Sequence, residues 1–334
     1  MSRFFITGAS GFLGTHLVRQ LRQANHQLAV LCRKPEPALE AAGISVHLGD
    51  VTDAASVRKA ATGCVGAFHC AGKVSRDPAD AAEMYRVHVD GTKTTLAALR
   101  EVGVGRVVVA STSGVVAVTD DADEVRDEEA ATPLSLIARW PYYRSKLFAE
   151  QAALAEGGHG LEVVCLNPSL LLGPGDERGS STEDVRLFLE RKVPFCPGGG
   201  IAFVDVRDAA AAFLMAFERG KPGRRYLINA ANMTIATFFG RLARISGVKA
   251  PPLRLPSASA ALVGAGVEWL GRAAKLLHVP VPLDRISAEM SQYYWYCDSA
   301  RAQLELGWSF RDAGETLLDT IDDLRARGVV WPAG

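Results

Sequence analysis

Tyr142 and Lys146 are the pair of residues in this 334-residue chain best suited to proton transfer. They stand four positions apart in a segment that we predict to be helical, so both side chains project from one face. A tyrosine with an ordinary pKa of about 10 is a poor acid or base at neutral pH, and a nearby ammonium group favours its phenolate form. The spacing predicts a tyrosine acid–base group assisted by a lysine, although a Y-x-x-x-K pattern alone is weak.

A third polar group is needed to hydrogen-bond a reacting carbonyl or alcohol. Residues 107–110 form an apolar run that ends in three consecutive hydroxyl residues, Ser111, Thr112 and Ser113. Each hydroxyl can both donate and accept a hydrogen bond. For any single one of them, the alternative that it merely terminates a strand stays open.

The elements that position such groups begin within residues 3–33, which read as a strand, a glycine-spaced turn, a helix and a second strand. A helix that starts at such a turn presents its amides and positive dipole end to an anion, here a pyrophosphate. Gly8 permits the turn, Gly11 lets the phosphates approach, and Gly14 lets the helix lie close to the strand. The helix also carries one apolar stripe, formed by Leu13, Leu17 and Leu21. These features predict half of a dinucleotide-binding unit.

Apolar runs keep alternating with helix-length segments further along the chain. The further predicted strands cover residues 45–48, 67–70, 106–110, 162–166 and 225–228, and predicted helices cover 54–62, 81–102 and 142–156. This alternation predicts an α/β fold with a doubly wound parallel (Rossmann) sheet. The functional residues are then expected just after strands, at the carboxyl edge of the sheet.

Proline and glycine become frequent after residue 168, which indicates irregular chain. We expect a dinucleotide-binding domain of residues 1–167 with a return segment, 201–230. A smaller, mostly helical substrate-binding lobe is expected to consist of residues 168–200 and 231–334. Within the return segment, residues 201–220 are expected to re-enter the main domain through a strand and a helix.

The composition argues against several classes of partner. The 37 basic and 37 acidic residues cancel without forming a basic block, so nothing favours a nucleic acid or an anionic membrane surface. The six cysteines include no C-x-x-C pair, which fits a reducing cytoplasm. The first predicted strand begins by residue 4, which leaves no room for a signal peptide.

Two stretches invite other interpretations. Residues 257–277 are apolar but contain Glu268, Arg272 and Lys275, which argues against a transmembrane span. A buried or substrate-covering helix is favoured there, and peripheral membrane contact stays open. The acidic run at residues 120–129 is expected to be a solvated loop, and no metal site is expected.

The turn sequence TGASGFLG, with its G-x-x-G-x-x-G spacing, and the later Y-x-x-x-K pattern resemble the extended branch of the short-chain dehydrogenase/reductase superfamily. Within the NAD-dependent epimerase/dehydratase superfamily, the chain is similar to the 3β-hydroxysteroid dehydrogenase and dihydroflavonol reductase-like group. The resemblance implies that Tyr142 exchanges a proton with the substrate oxygen while hydride moves to or from nicotinamide, and that Lys146 holds the nicotinamide ribose. It also puts Thr112 on the catalytic serine or threonine position, with Ser113 as a close rival.

The resemblance and the ends of the predicted strands assign the expected cofactor contacts. These are Gly8, Ser10, Gly11, Phe12, Leu13, Gly14, Arg33, Lys34, Asp50, Val51, Ala71, Gly72, Tyr142, Lys146, Asn167, Pro168 and Ser169. Cys32 cannot accept from a ribose hydroxyl as a carboxylate does, whereas Arg33 suits a 2′-phosphate. NADP(H) is therefore favoured over NAD(H), and the alternative is that Arg33 stacks on adenine and discriminates little. One departure is His88, where the family usually has asparagine.

The substrate is expected to be hydrophobic. Sugar-nucleotide enzymes of this superfamily often bind the diphosphate with an arginine where this chain has Ile201, which cannot bind a phosphate. The residues expected to line an apolar pocket are Ser113, Trp140, Leu171 and Phe195, together with a helix near Trp269. The favoured function is an NAD(P)(H)-dependent oxidoreductase that acts on a hydroxyl or keto group of a sterol-like or polycyclic substrate.

Two other functions stay open. A nucleotide-sugar epimerase or dehydratase would use tightly bound NAD only transiently, and a non-catalytic NADP-sensing protein would leave the Tyr–Lys pair without a role. The resemblance further implies a homodimer formed through the helices at residues 81–102 and 142–156.

Overall fold

A sheet of seven parallel strands forms the centre of the protein in the computed structural model, which describes residues 1–158, 160–193, 195–253 and 285–330. Its strands are β1 (Arg3–Thr7), β2 (Gln27–Cys32), β3 (Ser45–Leu48), β4 (Gly66–His69), β5 (Arg106–Ala110), β6 (Glu162–Pro168) and β9 (Arg225–Ile228). Their order across the sheet is β3-β2-β1-β4-β5-β6-β9, so the strand order reverses between β1 and β4. The predicted doubly wound parallel sheet is confirmed.

Helices cover both faces of this sheet. They are α1 (Phe12–Gln23), α2 (Pro37–Ala41), α3 (Ala54–Ala61), α4 (Ala81–Tyr85), α5 (Gly91–Glu101), α6 (Leu134–Ile137), α7 (Pro141–Glu156), α8 (Glu183–Leu189), α9 (Val206–Arg219), α10 (Ile235–Ser246), α11 (Arg285–Met290) and α12 (Ala313–Ala326). Helices α1 and α9 pack together on one face, and α3, α5 and α7 pack on the other. A π-helical segment, Arg86–Asp90, joins α4 to α5.

The alternation of side chains along the strands explains this double covering. In β1, Phe4 and Ile6 belong to the core beneath α1 and α9, whereas Phe5 belongs to the core beneath α3 and α5. Successive residues of a strand point to opposite faces, so strands that are apolar throughout require cover on both sides. On α1, Leu17 and Leu21 are buried and Leu13 packs against the same core, as the apolar stripe predicted.

A second, three-stranded sheet departs from the expected course of the chain. It contains β7 (Leu170–Leu172), β8 (Gly200–Asp205) and β10 (Ala231–Thr234), with β8 in the middle, parallel to β7 and antiparallel to β10. The strand within residues 201–220 therefore does not re-enter the main sheet. Helix α9 buries its apolar face against α1 on the main sheet, whereas β8 packs Phe203 against Phe238 of α10.

The acidic run at residues 120–129 is not wholly solvated. Glu128 is buried, and its Oε1 accepts a hydrogen bond from the Leu227 amide at 2.8 Å while its Oε2 lies 3.6 Å from Arg301. This carboxylate joins the loop to the last strand of the main sheet. Within the described ranges, no group of three acidic, histidine or cysteine side chains could hold a metal ion.

No helix in the described part of the chain combines the length and apolar character needed to cross a membrane. Residues 257–277, including Trp269, lie outside the described residues, so the helix expected there is not described. The six cysteines are all free thiols.

Candidate active site

The carboxyl ends of four neighbouring strands bring the predicted functional segments together. Thr7 of β1 is the register partner of His69 of β4, and Ala110 of β5 is the partner of Leu166 of β6. The glycine turn, the Ala71–Gly72 turn, the hydroxyl triplet and the Asn167–Ser169 segment follow these strands directly. They therefore line one edge of the sheet, beside the reversal of strand order, where ligands bind in this class of fold.

The glycine turn has the shape that a dinucleotide requires. Gly8 has a φ of +74°, and a Cβ there would lie 2.6 Å from the Cys70 carbonyl. No side chain caps the first turn of α1, and no acidic residue lies in it. The Gly11 amide donates to the Gly8 carbonyl within the turn, and the amides of Phe12 and Leu13 at the start of α1 have no side-chain cap, so the positive dipole end is uncompensated. An anion such as a pyrophosphate fits this arrangement.

Lys146 is held in place by the end of β5. Its side chain is buried, and its Nζ donates a hydrogen bond to the Ala110 carbonyl at 2.6 Å. Burial lowers the pKa of Lys146 to about 8, partly offset by the carboxylate of Glu150 one helical turn away. The ammonium group of Lys146 thus has a fixed position and loses its proton more readily than that of an exposed lysine.

Tyr142 lies one turn before Lys146, as the spacing predicted. Its ring is half-buried and packs edge-on against the ring of Tyr143, with 5.1 Å between the ring centroids. Burial raises the pKa of Tyr142, and the expected lowering by Lys146 is not seen. The ammonium group of Lys146 donates to the Ala110 carbonyl rather than to the phenol. Among the described residues, no group forms a hydrogen bond with the Tyr142 hydroxyl, so this donor stays available to a ligand.

The three hydroxyls after β5 differ in their surroundings. Thr112 is half-buried, and its Oγ1 accepts a weak hydrogen bond from the Gly114 amide at 3.4 Å. Ser113 is buried and hydrogen-bonds the thiol of Cys297. The Oγ of Ser111 is buried and has no partner among the described residues. Thr112 is therefore the most accessible of the three, and Ser113 is the one already engaged in the core.

Asn167 connects α7 to the main sheet. Its Nδ2 donates to the Thr112 carbonyl at 3.1 Å and to Glu150 Oε2 at 2.5 Å. Glu150 is fully buried, and its Oε1 lies 3.1 Å from Nε of Arg225 on β9. The Asn167 side chain thus serves packing and orientation, while its buried Oδ1 has no partner among the described residues.

The remaining predicted cofactor residues differ in their solvent exposure and in the hydrogen bonds that they already make. Arg33 and Lys34 are exposed at the end of β2, Gly72 is exposed after β4, and Ser10 is partly exposed. Asp50 Oδ1 is engaged with Thr52, accepting from its amide at 2.9 Å and from its hydroxyl at 2.7 Å. The availability of Arg33 and Lys34 is what a phosphate-binding role at the adenosine end would need.

Four other predicted contacts are buried or hydrogen-bonded within the fold. Val51 is buried and lies where a Cβ on Gly91 would meet it at 2.7 Å. Pro168 is buried, and the Ser169 hydroxyl donates to the Ile228 carbonyl at 3.2 Å. These side chains fix the backbone of the cleft. The amide of Ala71 donates to Thr7 Oγ1 at 3.2 Å, which shapes the turn after β4.

His88 connects the turn after β4 to α7, a role that the sequence did not reveal. Its buried Nε2 accepts from the Lys73 amide at 2.9 Å, so Nδ1 carries the proton and donates to Ser145 Oγ at 2.8 Å. Ser145 in turn donates to the Tyr142 carbonyl at 2.8 Å. Burial lowers the pKa of His88 to about 2, so this ring is neutral and supports Tyr142 without carrying a charge.

A second buried histidine extends this network towards the glycine turn. His69 Nδ1 lies 2.8 Å from Thr7 Oγ1, and its Nε2 lies 3.1 Å from Thr92 Oγ1, which donates to the His88 carbonyl at 2.5 Å. Because the Thr92 proton is used in that bond, His69 must donate through Nε2 and accept through Nδ1. Burial lowers the pKa of His69 to about 3, so it is neutral as well. The only hint in the sequence was a histidine at the end of an apolar strand.

The predicted substrate residues occupy different environments. Trp140 is 1% exposed and lies inside an aromatic cluster with Tyr143, Tyr293 and Trp295, so it is a packing residue rather than an open pocket wall. The expectation of direct substrate contact by Trp140 is corrected accordingly, since its neighbours shield the indole. Leu171 and Phe195 are partly exposed, as a pocket wall requires.

The parallel sheet and the glycine turn at the reversal of its strand order are the arrangement of a dinucleotide-binding α/β protein. Residues 4–229 match the family described as the NAD dependent epimerase/dehydratase family. The chain therefore belongs to this family, within the extended short-chain dehydrogenase/reductase superfamily, and the 3β-hydroxysteroid dehydrogenase and dihydroflavonol reductase-like group fits it.

Two relatives and one crystal structure are similar to this chain over most of its length. The chain is 32% identical, over 98% of its length and 96% of the relative, to a Synechocystis sp. protein provisionally named dihydroflavonol 4-reductase. It is 31% identical, over 75% of its length and 76% of the relative, to sterol demethylase protein B of Methylococcus capsulatus. The crystal structure of gox2253 superimposes with a TM-score of 0.84 at 26% identity, covering 99% of this chain and all of that one.

Proposed function

We propose that this protein is an NADP(H)-dependent oxidoreductase that interconverts a hydroxyl and a keto group on a hydrophobic, sterol-like or polycyclic substrate. The observation that carries the proposal is the uncommitted hydroxyl of Tyr142, set on one helix with the buried ammonium group of Lys146. The bound cofactor would supply or accept the hydride. A family member with this pair of residues has the groups needed for the accompanying proton transfer.

In the direction of reduction, Tyr142 would donate its hydroxyl proton to the carbonyl oxygen of the substrate as the carbonyl carbon gains hydride. The raised pKa of Tyr142 suits this direction, because the phenol is protonated at neutral pH. Thr112, the most accessible hydroxyl after β5, would hydrogen-bond the same oxygen and orient it. Lys146 would hold the nicotinamide ribose and stabilise the phenolate that forms.

The preference for NADP(H) rests on the end of β2. Arg33 and Lys34 are both exposed there, and no carboxylate follows the strand directly. A guanidinium group binds a phosphate through two parallel hydrogen bonds, whereas NAD preference usually uses a carboxylate on the ribose hydroxyl. We therefore propose that Arg33 and Lys34 bind the 2′-phosphate.

The proposed hydrophobic substrate is supported by partly exposed apolar side chains near the catalytic edge and by the names of two relatives, which refer to a dihydroflavonol and to a sterol. We propose that residues 168–200 and 231–334 form the lobe that covers this substrate, and that residues 1–167 and 201–230 bind the cofactor. The free cysteines fit a reducing compartment such as the cytoplasm.

A turnover screen tests this proposal. The protein is incubated with NADPH or NADH and with polycyclic ketones, sterol ketones or sugar nucleotides, and absorbance of the reduced cofactor is followed. We expect oxidation of NADPH, faster than that of NADH, with at least one polycyclic or sterol ketone. Conversion of a sugar nucleotide with no net change in cofactor, together with NAD that copurifies, would instead support the epimerase or dehydratase named in the family description.

We also propose a homodimer formed through the faces of α4, α5 and α7. Tyr85 and Phe148 are 45% and 40% exposed, and their rings contact each other edge-on with centroids 6.3 Å apart. Two exposed aromatic side chains on adjacent helices are an apolar surface that a second subunit would cover. Light scattering should give twice the chain mass, and a monomeric mass at micromolar concentration would contradict the proposal.

A further inference from the structure

The segment that follows β7 crosses back over the start of α1. Its first part is fixed at both sides: the Gly173 amide donates to Thr320 Oγ1 of α12 at 2.8 Å, and His16 Nε2 of α1 donates to the Pro174 carbonyl at 2.9 Å. Burial lowers the pKa of His16, which keeps the ring neutral and the Nε2 proton in this bond. We call residues 173–182 the crossing loop.

The second part of the crossing loop is wound around one carboxylate. Asp176 is 1% exposed, and it accepts from the amides of Ser180, Ser181 and Thr182 at 3.1, 2.8 and 2.9 Å. The hydroxyls of Ser180 and Thr182 donate to the same carboxylate. A loop with so many internal hydrogen bonds has a defined shape, so the position of the residues at its tip is also defined.

Arg178 lies at that tip, exposed, and its guanidinium reaches the glycine turn. Its Nη2 donates to Ser10 Oγ at 3.4 Å, a long and weak bond. No carboxylate of the described residues lies within 4.0 Å of its charge, and Glu183, which follows in the chain, is paired with Arg186 at 2.6 Å. The crossing loop thus directs an uncompensated cation at the turn where α1 presents its uncapped amides.

We propose that Arg178 binds the pyrophosphate of the nicotinamide cofactor, giving up its weak bond to Ser10 when it does so. The cofactor would then be held between the start of α1 on one side and the crossing loop on the other. A guanidinium beside an anion at a helix N-terminus adds a charge-assisted hydrogen bond to the dipole interaction. This inference rests on the proposed use of a nicotinamide cofactor and adds a residue from the far side of the cleft.

Calorimetric titration of Arg178→Gln with three ligands tests the inference. NADPH and ADP-ribose contain the pyrophosphate, and adenosine 2′-monophosphate lacks it. We expect the Kd of the first two to rise by about tenfold, a change typical of one lost charge-assisted hydrogen bond. The Kd of adenosine 2′-monophosphate should change less than about twofold, and Arg178→Lys should give an intermediate loss, because lysine keeps the charge without the planar fork.

Arg244→Gln is the matched control, since Arg244 is exposed on α10 and should leave all three Kd values unchanged. Unfolding temperatures measured without ligand should be the same for wild type and variants. Unchanged affinity of Arg178→Gln for NADPH and ADP-ribose would overturn the inference, and so would equal weakening of all three ligands, which would locate Arg178 at the adenosine end. Failure of the wild-type protein itself to bind NADPH or NADH would instead overturn the proposed function.

Discussion

Replacing Tyr142 with phenylalanine should lower kcat by about a thousandfold, within the range typical of a lost general acid, while the Kd for NADPH stays within about twofold of wild type. The substitution removes only the hydroxyl, which has no hydrogen-bond partner among the described residues. The ring contacts with Tyr143 and His88 should therefore persist. Because this hydroxyl makes no hydrogen bond within the described residues, we expect folding to be unchanged and the loss to fall on the chemical step.

Tyr143→Phe provides the matched control, since it removes the same hydroxyl from the neighbouring residue of α7. Tyr143 packs against Trp140 and Trp295 in the aromatic cluster, and we expect its variant to keep at least about a third of the wild-type kcat, because no proton transfer is assigned to it. Stopped-flow measurement of one turnover would separate chemistry from product release. Full single-turnover rates in Tyr142→Phe would contradict the assignment of Tyr142 as the proton donor.

The supports of Tyr142 explain why its position is precise enough for such a role. His88 and Ser145 hold the carbonyl of Tyr142, and the His88 ring also packs edge-on against the phenol with 5.8 Å between centroids. Both histidines of the network are neutral, because burial keeps their pKa values far below neutrality. Because these two histidines carry no charge, Tyr142 and Lys146 are the groups of the network that can gain or lose a proton.

The sequence predicted the main sheet well because buried parallel strands are continuous apolar runs that local composition reveals. The strands at residues 45–48, 106–110 and 225–228 are found with the predicted bounds. It did not predict the sheet to which β8 belongs, for the complementary reason. An apolar strand carries no local mark of its partner, and the pairing of β8 with β7 and β10 is decided by contacts far apart in the chain.

The residues of the candidate site were predictable where a short pattern carries the chemistry, and unpredictable where burial decides. Tyr142 and Lys146 lie one turn apart on α7, Lys146 bonds to the end of β5, and Thr112 follows that strand, while the catalytic roles of all three stay predictions. The raised pKa of Tyr142 and the shielding of Trp140 depend on neighbours contributed by other elements. Such neighbours become known only once the chain is folded.

The glycine turn permits a prediction that separates folding from cofactor binding. A Cβ on Gly14 would lie 2.0 Å from the Gly8 carbonyl oxygen, and neither backbone can retreat, because α1 is packed on the sheet through Leu17 and Leu21. We expect Gly14→Ala to lower the free energy of unfolding by at least about 3 kcal/mol, at the upper end of overpacking costs. Thermal unfolding monitored by circular dichroism measures this loss.

Gly11→Ala should behave differently at the next glycine of the same turn. Gly11 has a φ of −87°, which suits alanine, and its added Cβ would lie 3.3 Å from the Gly8 oxygen. The free energy of unfolding should therefore change by less than about 1 kcal/mol, since the more restricted unfolded chain offsets the tight contact. The new methyl group would nevertheless occupy the approach to the uncapped amides of α1, so the Kd for NADPH should rise at least about tenfold, a loss of about 1.4 kcal/mol. Wild-type affinity in a folded Gly11→Ala protein would show that the pyrophosphate does not approach this turn, and the cofactor assignment would then fail with it.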